Sequence, residues 1–433
     1  MKRIFSSIVV ASLALSSFAG GLLTNTNQSA SFVRNPARYA SLETDAIYFN
    51  PAGTAFFKEG WALSANWQMI WQDRDVENTA TKKSYKGEVY VPCMPTIMAA
   101  YKTGDWTFSG FFGIPGGGGN AQFNDGLPAF DLMGSQLVSP LTAASAFEST
   151  QYVFALQFGA AYKVNENLSV YGGVRANYTT ANYSGAITTM HPQAGKMNIL
   201  ELDLTQTGMA FAPVIGVDYK IGNFNLAAKY EFRAITTVEN ETDKFASQVL
   251  GAQLGDPNLD GKIGMLSQAM PTLASLATLQ NGQTLRNDAP ALLSLAGSWQ
   301  VCPRLQVMGG WNYYFDKDAK VESLLGGADN NKNLDHNTYE ILAGAEFKLT
   351  EKWLLSAGIQ YSNFGITDKY TSDLSFINDS FLVGAGAKYS LNEQWDINFG
   401  ACYANYAHDV NRSNYSSYIR KTYNVSVGVD FKF

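Results

Sequence analysis

Apolar and polar side chains alternate strictly along the last segment of the chain, "YNVSVGVDFKF". Successive side chains of a β-strand point to opposite faces, so one face of this segment is apolar and the other is polar or small. Similar segments, many of them rich in aromatic residues, recur along the chain and predict about fourteen strands. The predicted strands cover residues 61–73, 94–102, 106–113, 151–164, 168–180, 207–220, 224–238, 290–301, 305–315, 337–349, 353–364, 376–391, 395–407 and 418–433.

Short and long connections alternate between these strands. The turns "KTGDW", "VNENL", "KIGNF", "VCPRL", "LTEKW" and "LNEQW" are tight, whereas the connections between them are long and polar. Outer-membrane barrels show this asymmetry, with short periplasmic turns, long outer loops and an even number of strands. A soluble β-sandwich has no reason to keep it. Residues 59–433 are therefore predicted to form an all-β transmembrane fold, a closed antiparallel β-barrel of about fourteen strands.

The two ends of the chain point to the same location. A positive start, "MKR", precedes an apolar run, and "SFA" provides a small-x-small cleavage site, so residues 1–19 are predicted to be a secretory signal peptide. Charged residues make up only 16% of the chain, against about 25% in soluble domains. The final Phe433 ends a strand that could close the barrel and anchor at the periplasmic interface. The predicted location is the outer membrane of a Gram-negative bacterium.

Residues 20–58 precede the first strand and show no sustained alternation. This stretch of small residues contains "YFNPAG", and the third predicted strand leads into "GFFGIPGGGG". With the fourteen predicted strands, these motifs make the mature chain resemble the FadL family, outer-membrane transporters of long-chain fatty acids and other hydrophobic compounds. The resemblance implies that residues 20–58 form a hatch, a plug inside the lumen. It also implies uptake by passive diffusion, with sideways release of the ligand into outer-membrane lipid through a gap beside a kinked third strand.

The resemblance also assigns roles to individual residues. The implied hatch contact is formed by Asn50, Pro51 and Ala52, and it holds the hatch against the third strand. The same tripeptide also occurs at residues 35–37. The copy at residues 50–52 is favoured because it lies closer to the first strand. The implied kink is formed by Gly110, Gly113 or Pro115, residues at which a strand can bulge. The C-terminal strand resembles the signal read by the barrel assembly machinery, and the chain is expected to be a monomer.

A fatty-acid carboxylate favours a cationic partner inside the lumen. Three cations fall on the predicted inward register, with Glu231 beside the last two. These candidate carboxylate ligands are Arg175, Lys229 and Arg233; ordinary charge pairing within the lumen is the alternative. Asp256–Ser267 begins like a calcium loop but has Ser267 where the bidentate glutamate belongs, so no metal and no cofactor is predicted.

Two other classes of protein compete with a hydrophobic-compound transporter. A diffusion porin for small polar solutes requires an open polar lumen without a plug. An enzyme requires a catalytic set, and no Ser or Asp is spaced to serve the three histidines as a triad partner, so no enzyme is predicted. A net charge of −6 argues against nucleic acid as a partner. The three cysteines offer neither a disulfide framework nor metal-ligand spacing.

Overall fold

A computed structural model of the chain describes residues 22, 24–138, 141–193, 195–247, 252–253, 278–373, 375–411 and 415–433. The predicted signal peptide and the candidate calcium loop Asp256–Ser267 lie outside the described residues. Fourteen long strands of the described chain form the wall of a closed antiparallel barrel, which confirms the predicted fold class. The wall strands are β1 Gly60–Asn78, β2 Glu88–Thr103, β3 Trp106–Phe123, β4 Ala143–Lys163, β5 Leu168–His191, β6 Gly195–Ile221, β7 Phe224–Glu231, β8 Leu292–Cys302, β9 Leu305–Tyr314, β10 Tyr339–Lys348, β11 Trp353–Asn363, β12 Ser380–Ser390, β13 Trp395–Tyr406 and β14 Ser416–Lys432.

The last strand closes the barrel against the first. β14 pairs with β1 over seventeen residue pairs, from Asn78 opposite Ser416 to Ala62 opposite Lys432. The backbone N–H of Trp61 donates to the carbonyl oxygen of Phe433, and the N–H of Phe433 donates back, at 2.7 and 3.0 Å. This pairing leaves neither terminal strand with a free edge in the hydrocarbon, where each unpaired backbone group would cost several kcal/mol.

The two faces of the wall differ as the alternation predicts. In β1 the side chains of Trp61, Trp67 and Trp71 are exposed on the outside, while those of Asn66 and Gln68 are buried toward the lumen. The same division holds in β14, where the odd-numbered apolar residues face outward. The outer face therefore suits lipid and the lumen is polar, so what fills the lumen decides what can pass.

The strands are longer than predicted on the side of the long connections. β5 and β6 continue as a hairpin up to residues 191 and 195, and β3 continues through its glycine-rich stretch to Phe123. The extensions of β3 and β5 lack sustained apolar alternation, so the sequence pattern misses them. In β6 the alternation at residues 200–204 precedes the predicted strand, which begins at residue 207. Residues 224–238 are not one strand: β7 ends at Glu231, and a second strand, Thr237–Ser247, pairs with the upper part of β6.

Short elements cover the barrel on this side. They include helix α3 (Pro128–Leu137), the strands Ser84–Tyr85, Ala252–Gln253, Thr284–Arg286 and Asp409–Asn411, and 3₁₀ turns at Asp316–Asp318 and Asn330–Asn333. None of the helices in the described residues has the length and apolar character needed to cross a membrane.

The described part of the hatch lies inside the barrel. It contains α1 (Ala30–Arg34), α2 (Ala46–Phe49) and a 3₁₀ turn (Pro51–Phe56). Nearly every residue from 25 to 55 is buried. Helix α1 begins where the Ser29 hydroxyl accepts a hydrogen bond from the N–H of Phe32 at 2.9 Å, a side-chain N-cap. Hatch side chains and backbone contact strands on opposite sides of the wall, so the hatch spans the lumen.

Candidate functional site

One side of the hatch rests in a groove of glycine residues on the lumenal face of β10–β14. The glycine groove consists of Gly344, Gly358, Gly384, Gly386, Gly400 and Gly428. A Cβ atom at Gly400 would lie 2.7 Å from the carbonyl oxygen of Ala30, and one at Gly386 would lie 2.8 Å from the Cβ of Arg34. Only glycine permits so close an approach of backbone to backbone. The groove therefore seats α1 directly on the wall.

Buried ion pairs fix the same side of the hatch. The guanidinium groups of Arg34 and Arg38 lie 2.6 and 2.8 Å from one carboxylate oxygen of Glu346 on β10, and both arginine side chains are fully buried. Glu43 pairs with Lys388 of β12. Burial disfavours the charged form of Glu43, but Lys388 and the two arginines outweigh this effect and hold its pKa well below the usual range. Removing one partner of such a pair costs about 3–5 kcal/mol, so this side is held firmly.

The tripeptide Asn50, Pro51 and Ala52 contacts the wall, but not at the expected strand. The amide nitrogen of Asn50 donates to the carboxylate of Asp218 on β6 at 2.5 Å and to the carbonyl of Ser41 at 3.1 Å. Pro51 opens the 3₁₀ turn, and the carbonyl of Ala52 accepts from Ser169 on β5 at 2.7 Å. The expectation of a contact with the third strand is wrong for Asn50. Its partner was hidden because pattern alone does not say which lumenal residues meet the hatch.

The second copy of the tripeptide, at residues 35–37, makes weaker side-chain contacts. The Asn35 side-chain oxygen accepts from the N–H of Ala37 within the hatch at 3.1 Å, and its amide nitrogen lies 3.4 Å from the sulfur of Met308. Asn35 sits in the glycine groove beside Gly344. Of the two copies, only Asn50 bonds to a charged group of the wall.

Replacing Asn50 by Ala is expected to loosen the hatch. The change removes the two hydrogen bonds that Asn50 donates to Asp218 and Ser41 and the one that it accepts from the N–H of Gly53. A bond to a charged group alone is worth about 1.5–3 kcal/mol. Amide exchange in α2 and the 3₁₀ turn should accelerate by at least about tenfold, measured by hydrogen–deuterium exchange with mass spectrometry. Asn35→Ala serves as the matched control and should give a smaller change. Unchanged exchange in Asn50→Ala would contradict the assignment.

Strand β3 carries a double bulge. Six residue steps of β3, from Gly113 to Gly119, lie opposite four steps of β4, from Ala155 to Gln151. Gly117 within the bulge has a φ of +96°, a left-handed conformation that favours glycine. A Cβ at this position would also collide with the carbonyl oxygen of Gln151. The glycine-rich stretch is thus a built bend in the wall rather than a loop after the strand.

One of the three predicted kink residues lies inside the bulge, and a second borders it. Gly113 is the last regularly paired residue before it, and Pro115 lies inside it. Gly110 lies outside the bulge, because it pairs regularly with Ala99 on one side and Phe158 on the other. The assignment of Gly110 to the kink is therefore wrong.

The bulge interrupts the wall between β2 and β3. These strands pair regularly from Thr103 to Ile97 of β2, and pairing resumes only at Val89. The intervening stretch of β2 contains Pro92 and Pro95, which have no N–H to donate to a ladder. The two prolines in "VPCMP" could have indicated from the sequence that β2 forms the second side of the gap, but the prediction did not include them.

The start of the hatch lies against this interruption. Thr24 forms an isolated antiparallel bridge with Gly116. The backbone N–H of Asn25 donates to the carbonyl of Pro115 at 2.8 Å, and its side chain donates to the carbonyl of Gly117 at 3.0 Å. The side chain of Gln28 donates to the carbonyl of Ile114 at 3.1 Å. Residues 24–28 thus supply bulge carbonyls with the donors that β2 does not provide, and sequence patterns gave no sign of this role.

A cavity of about 840 Å³, partly open to solvent, lies between the hatch, the bulge and strands β4–β7. Its lining includes Thr24 and Tyr48 of the hatch, Pro115 of the bulge, Val153 of β4 and Arg175 of β5. The cavity therefore touches both the hatch residues that cover the gap and a buried cation.

Two of the three predicted carboxylate ligands lie together at one end of this cavity. Arg175 Nη1 is 2.5 Å from Glu231, and Lys229 Nζ is 2.6 Å from the other oxygen of the same carboxylate. Both cations also engage the hatch: the Arg175 guanidinium lies 5.0 Å from the centre of the Tyr48 ring, and Lys229 donates to the Tyr48 carbonyl at 2.9 Å. Two cations thus share one carboxylate, which leaves the cluster with one net positive charge.

Arg233, the third predicted ligand, lies elsewhere. It follows the end of β7, its side chain is exposed, and its guanidinium donates to the carbonyl of Asp318 in an outer 3₁₀ turn. The inward register assumed for it fails because the strand ends at Glu231. The assignment of Arg233 to the lumen is wrong. Within the described residues, no group of three or more His, Cys, Asp or Glu side chains is placed to hold a metal ion.

A second, apolar pocket of about 490 Å³ lies under α3 on the outer side. It is lined by Phe130 and Met133 of α3, Phe147 of β4 and Ile187 of β5 among other apolar residues. The hydrophobic cluster that contains Met133, Phe147 and Ile187 also contains Ile114 of the bulge. Apolar side chains therefore run continuously from the outer pocket to the gap.

Comparisons with known proteins agree with this architecture. A sequence profile of the family described as "Outer membrane protein transport protein (OMPP1/FadL/TodX)" matches residues 10–431. The crystal structure of a Pseudomonas aeruginosa FadL homologue superposes with a TM-score of 0.70 at 15% identity, covering 96% of this chain and 100% of that chain. The toluene transporters TodX of P. putida and TbuX of Ralstonia pickettii give TM-scores of 0.60 and 0.57 at 16% and 14% identity, each covering 90% of this chain and 94% of the other. A comparison with curated proteins gives no match.

The closed fourteen-stranded wall, the hatch within it and the interruption beside β3 define a plugged β-barrel of the bacterial outer membrane. The family profile extends over nearly the whole chain. The chain belongs to the OMPP1/FadL/TodX family of outer-membrane transport proteins, as the sequence motifs indicated.

Proposed function

We propose that this protein takes up long-chain fatty acids or similar hydrophobic anions and releases them sideways into the outer membrane. The observation that carries the proposal is the position of the cavity, which lies directly behind the interruption between β2 and β3. Thr24 and Thr26 of the hatch and residues 115–117 of the bulge line the cavity on this side, and the hatch segment bonds to the bulge where β2 does not pair. Displacement of this short segment would open the cavity toward the gap.

Capture begins at the outer pocket under α3. Its lining is almost entirely apolar, and it opens on the side of the long loops. An alkyl chain gains about 0.8 kcal/mol for each methylene group it buries, so a pocket of this kind collects dilute hydrophobic molecules. The continuous apolar cluster from Met133 and Phe147 to Ile114 makes the region between this pocket and the gap apolar, so an alkyl chain that moves between the packed side chains stays out of water.

The charged end of the cavity favours a ligand with an anionic head. The cluster of Arg175, Lys229 and Glu231 carries one net positive charge, and Arg175 lines the cavity. A carboxylate at this position would balance the charge by charge-assisted hydrogen bonds, which are about twice as strong as neutral ones. The polar end then holds the head of the ligand while its alkyl chain extends toward the bulge.

The fixed side of the hatch supports a sideways exit and opposes a straight one. The glycine groove and the buried ion pairs hold α1 against β10–β14. A route along that side would break several buried charge pairs, at about 3–5 kcal/mol for each broken pair. A diffusion porin needs an open aqueous lumen, and the buried hatch argues against that alternative.

Uptake measurements in cells test the proposal. Cells that express the protein should accumulate labelled oleate faster than matched cells without it, while the permeation of labelled lactose should be the same in both. Toluene serves as a third probe, because two structural relatives are described as toluene transporters. Lactose permeation without oleate uptake would replace the proposal with a porin, and uptake of toluene alone would exclude the anionic ligand.

A further inference from the structure

The cavity contains polar groups that neither a hydrocarbon nor a plain fatty acid would satisfy. The side chains of Gln151 on β4 and Asn177 on β5 line the cavity and are only 3% and 7% exposed. The side-chain carbonyl oxygens of both are buried and accept no hydrogen bond. A buried acceptor without a donor is costly and uncommon in folded proteins, so these two amides are candidates for contact with a ligand.

The two amides are spread along the cavity rather than gathered at its charged end. Asn177 lies two residues beyond Arg175 on the same strand, or about 7 Å along it. Gln151 pairs with Ala181, six residues beyond Arg175, which places it about 20 Å along the strand. It also lies opposite Gly119 at the far end of the bulge. The polar groups therefore follow the length of an extended ligand from its head toward the gap.

Resting on the function proposed above, we propose that the cavity is selective for long-chain anions with a hydroxyl group on the chain. A hydroxyl group both donates and accepts, which matches a side-chain amide at either position. A carboxylate bound at Arg175 accepts hydrogen bonds only and leaves the carbonyl oxygens of Gln151 and Asn177 without donors. A hydroxyl group placed level with one of these amides satisfies the carbonyl oxygen there, while the remaining methylene groups of the chain stay buried. Asn177 and Gln151 are then the residues that determine specificity.

Matched ligands test this selectivity. Oleate hydroxylated on the carbon next to its terminal methyl group, here called hydroxyoleate, carries this hydroxyl group level with Gln151 when its carboxylate lies at Arg175. The two acids differ only in the feature at issue. The purified full chain in lipid nanodiscs should bind hydroxyoleate about threefold to tenfold more tightly than oleate, measured by equilibrium binding of the labelled acids. The double variant with Gln151→Met and Asn177→Leu should bind the two acids equally.

Thr422→Val is the control variant. Thr422 is also buried with an unbonded hydroxyl, but it lies on β14 and does not line the cavity. This variant should keep the preference for hydroxyoleate. Equal binding of both acids by the unchanged protein, or a preference that persists in the double variant, overturns the inference and leaves the proposed function standing. Binding of neither acid overturns both.

Discussion

Deleting Pro115 and Gly116 should reduce oleate uptake by roughly thirtyfold or more. Within the bulge β3 has two more residues than the facing part of β4, and this deletion removes that difference. Without them β3 regains regular register with β4, and the removal of Pro115 restores a backbone donor at that point of the ladder. If the straightened β3 forms two new hydrogen bonds with β2 across the gap, at about 1 kcal/mol each, and both must open for every molecule released, exit slows by about thirtyfold.

The measurement is uptake of labelled oleate and labelled lactose in cells with equal amounts of protein at the surface. Heat-dependent mobility on gels reports whether the barrel of the deletion variant has assembled. Gly113→Val is a second variant at the same site, and a Cβ there would lie 2.7 Å from the side-chain oxygen of Gln28. The lateral route is excluded if an assembled deletion variant transports oleate at the rate of the unchanged protein.

Replacing Arg175 by Met should weaken the binding of oleate by about tenfold to a hundredfold. A hydrogen bond to a charged group contributes about 1.5–3 kcal/mol, and the change also removes the net positive charge of the cluster, since Lys229 still neutralises Glu231. The affinity for oleyl alcohol, which has the same chain without the carboxylate, should hardly change. The measurement is equilibrium binding of both ligands to the purified protein.

Two further variants separate the role of this charge from damage to the fold. Arg175→Lys keeps the charge and should recover part of the affinity for oleate. Arg233→Met removes an exposed cation outside the lumen and should leave the binding of both ligands unchanged. Equal losses of oleate and oleyl alcohol in Arg175→Met would mean that Arg175 supports Tyr48 and the hatch and makes no contact with a carboxylate.

The architecture of the wall was predictable because a barrel repeats one rule in every strand. Alternation along residues 423–433, and the alternation of short and long connections, follow from a sheet between lipid and lumen. The observed wall has the fourteen predicted strands. The strand extensions above the membrane were missed because no lipid enforces apolar alternation there. The position of Arg233 was also predicted wrongly, because the alternation in the sequence continues past Glu231 although the backbone leaves the sheet there.

The candidate site was predictable only where one residue type imposes a backbone shape. The glycines and the proline after Gly110 marked the bulge of β3. In contrast, the pairing of Asn50 with Asp218 joins residues 168 positions apart, and such distant contacts leave no local pattern. The sequence likewise did not indicate a role for the amides of Gln151 and Asn177, since a polar residue on the inward register is ordinary for a barrel. Their significance depends on what lies opposite them.

The glycine groove sets the order in which the protein can assemble. Its residues come from β10–β14, the last strands to leave the export channel, while α1, which it receives, is among the first segments to leave. Arg34 and its partner Glu346 are separated by 312 positions, so α1 cannot reach its final position until the strands of the groove have arrived. A plug segment that is made early therefore reaches its place late.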